Sequence, residues 1–178
     1  LAKQKGWKII AAMKDLGQVP ILTYGFPETL TFYADELWWA PCFSEETHLL
    51  DEAARLGACE ELCFVRAALG AMVTLDYFPA PDLCIAGVGA CCDDFSAIMQ
   101  LIEGLGYPVH WWEMAAHWDG SGCSGGGRLD WDGARREAAV RFAESQLSSV
   151  VARMEALTGK RAEPREMERS LINFNEIR

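Results

Sequence analysis

Apolar positions along the chain fall into short blocks closed by glycine, and the spacing inside each block predicts an element. The amphipathic stretch Gly6 to Leu16 predicts a helix, and Val19 to Tyr24 (VPILTY), short, apolar and closed by Gly25, predicts a buried strand. From Glu46 to Leu56, Leu49, Leu50, Ala53 and Ala54 recur at helical spacing, with Gly57 as a left-handed cap. Glu61 to Met72 predicts a second helix beside it. Leu83 to Gly87 (LCIAG) predicts another buried strand. Asp93, Asp94 and Ser96 then supply capping chemistry for a helix carrying Ile98, Leu101, Ile102 and Leu105 and stopping at Gly106. Tyr107 to Trp112 (YPVHWW) predicts the strand that follows.

Strand, helix and strand in that order, with tight glycine punctuation, make a βαβ unit. Its strands are parallel, and its ligand sites lie at their carboxyl ends. The fold class expected is α/β: a Rossmann-like parallel sheet flanked by helices, followed by two long helices. The glycine-dense run Gly120 to Gly127 (GSGCSGGG) reads as a loop and divides the chain into an α/β domain over 1–119, a loop over 120–131 and a helical segment over 132–178. In that segment Gly133 to Thr158 carries the stripe Val140, Leu147, Val151 and Met154. Gly159 stops it, and Pro164 opens a second helix to Ile177.

Composition narrows the function classes. With 51% hydrophobic and 24% charged residues the chain has the apolar content of a packed core, which excludes disorder. A net charge of -10 with no basic run repels phosphate backbones and anionic lipid, so neither nucleic acid nor membrane is an expected partner. No apolar stretch reaches the roughly 18 to 20 residues that span a bilayer, and the start lacks a signal-peptide layout. Seven cysteines are an odd number in a chain with ample core, which favours reduced thiols and a cytoplasmic address. Leu1 at the start and Arg178 at the end of a helical pattern lead us to expect a piece of a longer protein.

Reduced cysteines ligate metals as soft thiolates, which suit iron-sulfur clusters or zinc. Structural zinc uses paired C-x2-C knuckles, and none exists: Cys59 and Cys63 are four apart, and Cys91 and Cys92 are adjacent. Cys42, Cys59, Cys84 and Cys123 read singly as core or loop residues. Cys91 and Cys92 lie between a strand and a helix whose first-turn N–H groups and dipole favour an anion there. From the residues alone, metal ligation and plain packing both stand for that pair.

A dinucleotide site competes for the same turn, since Gly87 and Gly89 give G-x-G after a strand and Glu113 stands where a ribose-binding acid belongs. Cys92 holds the place of the third glycine. The alternative this leaves is a nucleotide- or CoA-binding α/β module without a cluster. Trp111 and Trp112, with His110 and Glu113, form an aromatic cluster that either packs the core or walls a substrate pocket. Glu28, after Gly25-Phe26-Pro27 at the expected end of the first strand, is either a general base or a helix-capping acid. No G-x-S-x-G turn or His-Glu-x-x-His helix supports hydrolase chemistry.

Several segments in order resemble one family. They are Pro27-Glu28 after a strand, Leu62-Cys63-Phe64-Val65-Arg66 with Leu69-Gly70, Pro81-Asp82-Leu83, Cys92-Asp93 before a helix, Tyr107-Pro108-Val109, Leu157-Thr158-Gly159-Lys160 and Asn175-Glu176-Ile177-Arg178. Together they are similar to the iron-sulfur subunits of the (R)-2-hydroxyacyl-CoA dehydratase and benzoyl-CoA reductase family, with Ala115-Ala116 a departure from its pattern. The resemblance implies two Rossmann-like halves with a 4Fe-4S cluster in the cleft between them. Cys63 and Cys92 would be its ligands, with Cys91 an alternative in register, and a further cysteine would come from a second half beyond this chain. It also implies a homologous second subunit, an ATP-hydrolysing activator protein and an acyl-CoA substrate. One low-potential electron would reach the thioester and form a ketyl radical anion, which permits loss of a 2-hydroxyl or reduction of an aromatic ring. In that scheme Glu28 would be the acid/base, and Trp111 and Trp112 would wall the acyl pocket.

Overall fold

The computed structural model describes residues 1–13, 19–43, 47–88, 92–113 and 133–177. Four strands, β1 (Lys8–Ala12), β2 (Thr29–Tyr33), β3 (Leu83–Val88) and β4 (Val109–Glu113), form one sheet in the order β2-β1-β3-β4. Every pairing is parallel: Lys8 faces Thr29, Ile10 faces Leu83, and Gly87 faces Trp112. The fold is therefore the expected α/β class. Strand order reverses at β1 and β3, whose carboxyl ends flank the position where open parallel sheets bind ligands.

Seven helices accompany the sheet among the described residues: α1 (Val19–Thr23), α2 (Trp39–Phe43), α3 (His48–Arg55), α4 (Ala67–Thr74), α5 (Asp93–Gly104), α6 (Gly133–Thr158) and α7 (Pro164–Ile177). They cover both faces of the sheet. His110 on β4 bonds to Ser149 on α6, while its neighbour Trp111 bonds to Glu103 on α5. Successive strand residues point to opposite faces, so α5 and α6 lie on opposite sides. α4 packs beside α5, with α3 on α4, while α1 touches β1, β2, α6 and α7 on the other face. Such double covering explains why β1 and β3 are nearly continuous apolar runs, with Ile9, Ile10, Leu83 and Ile85 fully buried.

Two expected elements are exchanged. The helix expected over Gly6 to Leu16 is the central strand β1, and the strand expected over Val19 to Tyr24 is the helix α1. Periodicity does not distinguish a short buried strand from a buried turn of helix. Pro20 is the discriminating residue: its missing N–H is harmless in a helix's first turn and would break a ladder bond in a sheet interior. The edge strand β2 was not expected, although TLTFY alternates and its first three residues are buried, exposed and buried.

Other elements follow the pattern, apart from α2, which it does not predict. β3, α5, β4, α6 and α7 lie where expected, and Gly57, Gly106 and Gly159 all take positive φ at helix ends. The helix expected from Glu61 starts later, as a 3-10 turn over Phe64–Arg66 running into α4, which leaves Cys63 outside it. On α6 the buried stripe is Val150 and Met154, flanked by Leu147, Val151 and Leu157, whereas Val140 is half exposed. This half of α6 shares the core of the sheet, so the helical segment is packed onto the α/β layer. No described helix is long and apolar enough to cross a membrane.

Candidate metal centre

Cys92 follows β3 and immediately precedes α5, with extended backbone (φ -90, ψ 116). Its carbonyl accepts the Ser96 N–H at 3.0 Å, and the Ser96 hydroxyl bridges the Gly87 carbonyl at 2.7 Å and the Cys92 carbonyl at 3.1 Å. That serine ties the first turn of α5 to the end of β3 and fixes where Cys92 sits. Asp93 and Asp94 occupy the first turn, where the helix dipole favours negative charge.

Cys63 arrives from the other direction, on the loop that ends at the 3-10 turn. Its backbone N–H donates to Oδ2 of Asp94 at 2.9 Å. Arg66 holds the same loop from behind: its Nη1 donates to the carbonyls of Leu62 at 2.6 Å and Glu60 at 3.0 Å. The two stretches that carry Cys63 and Cys92 therefore meet at the amino-terminal end of α5. Both are free thiols; Cys63 is exposed and Cys92 half-buried. Cys91, the alternative in register, lies outside the described residues, as do Gly89 and Cys123. Of the remaining cysteines, Cys42 and Cys59 are exposed, while Cys84 is in the core, where burial pushes its thiol up to about 12.

Two free thiols at one patch, beside a helix end that favours anions, form a donor set suited to thiolate-ligated iron. Among the described residues no three His, Cys, Asp or Glu side chains converge to hold a metal.

Glu28 is placed elsewhere. It lies in the turn ahead of β2, with φ 61, and its carbonyl accepts the Lys8 N–H at 2.9 Å. Its carboxylate pairs with Lys160, just past α6. This is the amino edge of the sheet, separated from the cysteines by the length of a strand, about 16 Å for five residues. The expectation of a carboxylate at a strand's carboxyl end fails because the strand that was to carry it is α1.

The tryptophans do not form a joint wall, since strand alternation sends them to opposite faces. Trp111 donates its indole N–H to Glu103, in the last turn of α5 and so toward the amino edge, at 3.2 Å. Trp112 is 3% exposed, packs into the core, and its indole N–H has no hydrogen-bond partner among the described residues. Glu113 is exposed, with its backbone N–H donated to Gln146 of α6 at 3.1 Å. Two clefts of about 400 and 430 Å³ lie along α6 and α7, and neither includes these residues.

A family model described as 2-hydroxyglutaryl-CoA dehydratase, D-component, matches residues 23–178, from the end of α1 through α7. The chain belongs to this family. No curated protein matches it. Membership makes the chain a component of a dehydratase-type enzyme, in agreement with the resemblance carried by its motifs. In this D-component-family chain Arg66 and Asp94 are the residues whose roles the sequence reading did not recognise. Asp94 reads as an ordinary capping acid, and nothing in the order of residues reveals that Arg66 is buried or that Asp94 reaches a cysteine 31 positions away.

Proposed function

We propose that this chain is the cluster-binding part of an ATP-activated 2-hydroxyacyl-CoA dehydratase or benzoyl-CoA reductase-like enzyme. Cys63 and Cys92 each supply a ligand to a 4Fe-4S cluster, with Cys91 the alternative to Cys92. The observation that carries this reading is the Cys63 N–H to Asp94 hydrogen bond, which brings two distant free cysteines to one helix end. Family membership supplies the reaction class. Bound there, the cluster supplies a low-potential electron to an acyl-CoA thioester.

The chain's own residues have simpler tasks. Ser96 fixes the Cys92 turn, Asp94 and Arg66 fix the Cys63 loop, and the α5 amino terminus stabilises negative charge. The remaining ligand comes from outside the described residues, and so does the acid/base, because Glu28 is at the wrong edge. The partners that fit are a homologous second subunit and an ATP-dependent activator protein, in an anaerobic cytoplasm.

The test is iron. The protein containing this chain, purified anaerobically and reconstituted with iron and sulfide, is expected to be brown, with broad absorption near about 400 nm. Cys63→Ser and Cys92→Ser each lose most of that iron, and Cys42→Ser and Cys59→Ser keep it. Colourless, iron-free protein after reconstitution would overturn the proposal. CoA binding by that colourless protein would favour the cluster-free module instead, a reading the switch point between β1 and β3 also accommodates.

A further inference from the structure

We infer that Arg66 is a positioning residue that presents Cys63 beside Cys92 and supplies the buried positive charge that balances their thiolates. This rests on the proposed role of the two cysteines. Arg66 is 8% exposed, and its Nε is buried without a hydrogen-bond partner. Nη1 is engaged with the Glu60 and Leu62 carbonyls, and the guanidinium carbon lies 6.0 Å from the Phe64 ring centroid. Among the described residues no carboxylate pairs with it.

A buried cation without a counter-ion is costly, and carbonyl dipoles and a ring face compensate it only in part. A loop staple alone needs hydrogen-bond donors, which a neutral amide side chain also provides. What a neutral side chain lacks is the charge, and the loop that Arg66 staples is the one that carries Cys63, three positions earlier in the sequence. Asp94 completes the clamp from the α5 side through the Cys63 N–H.

Positioning can be read without iron. In protein with Cys42, Cys59, Cys91 and Cys123 changed to Ser, anaerobic dibromobimane should bridge Cys63 and Cys92 and become fluorescent. Arg66→Ala and Asp94→Ala should each slow bridging about tenfold, the scale of losing a hydrogen bond to a charged group. Asp94→Asn keeps an acceptor oxygen and should bridge at close to the parent rate. If Arg66→Ala does not fold, Arg66→Met, which keeps the apolar stem and removes the donors to the Glu60 and Leu62 carbonyls, should slow bridging by the same factor and decides the positioning half.

Charge is read separately, on reconstituted protein with all other cysteines intact. Arg66→Gln should move the cluster's reduction potential to more negative values, because reduction adds negative charge beside a lost cation, and Arg66→Lys should restore it. Unchanged bridging in Arg66→Ala, or a parent that does not bridge, overturns the positioning role. An unchanged potential in Arg66→Gln overturns the charge role. A parent that bridges normally yet takes up no iron would remove the cluster reading while leaving the clamp intact.

Discussion

Gly70 on α4 lies directly against the Leu49 carbonyl of α3, so closely that a Cβ on Gly70 would come within 2.1 Å of the Leu49 oxygen. The obstructing atoms are backbone, and Leu49 itself is fully buried, so neither helix can yield by turning a side chain. Gly70→Ala should destabilise the fold by about 3 kcal/mol, the upper part of the range for overpacking a core. Urea denaturation measures it. A change below about 0.5 kcal/mol would mean that α3 and α4 separate at no cost, against the close-packed interior assumed here.

This contact shows what the amino-acid order could and could not reveal. Leu69-Gly70 was readable as a family motif, and the helical spacing of Leu49 and Ala53 was readable as an amphipathic face; their meeting was not. α5, α6 and α7 were legible because long periodic segments with caps admit one interpretation. β1 and α1 were not, because a five-residue, mostly apolar run fits either structure; for α1 the discriminating feature is Pro20, whose missing N–H suits a helix's first turn. For the proposed site, residue type and motif single out Cys63 and Cys92, whose stretches meet at one helix end, whereas Glu28 lies at the other edge because the strand expected to carry it is a helix. Arg66 became informative only once its burial was known.

His110 couples stability to pH. Its Nε2 lies 3.1 Å from the Ser149 hydroxyl, whose own proton goes to the Gln146 carbonyl at 2.7 Å, so the imidazole is the donor. Burial, and secondarily the Arg153 charge, hold His110 below its ordinary 6.5. The unfolded chain therefore binds the proton first as pH falls. The stability this group contributes is fully present above 6.5 and is lost as pH drops through that value toward the lower folded one. Denaturation midpoints at about pH 7.5 and 5.5 should show the loss, with a smaller difference in His110→Gln. Equal differences in both proteins would count against it.

Cys84 should report unfolding. It is fully buried on β3, and its thiol is pushed up to about 12 by desolvation, so it is both inaccessible and protonated at neutral pH. Iodoacetamide on the native, reduced, metal-free protein is expected to label Cys42, Cys59 and Cys63 and to spare Cys84 until denaturant is added. Peptide mass analysis resolves the sites. Rapid native labelling of Cys84 would contradict its place in the sheet core.

Glu28 offers a direct test of its place at the amino edge. With φ 61 it occupies a conformation that favours glycine, at a cost for other residues of about 1 kcal/mol. Its side chain contributes an exposed pair with Lys160, a class of interaction contributing about 0 to 1 kcal/mol. The two effects oppose each other in Glu28→Gly, and the Lys8 N–H still finds the residue 28 carbonyl, since that bond is backbone only. The variant should thus keep its stability to within about 1 kcal/mol. It should also keep its full iron content, because among the described residues no hydrogen bond or ion pair joins this turn to the Cys63 loop. A large loss of iron with stability intact would bring Glu28 back to the centre, and the arrangement of edges described here would be wrong.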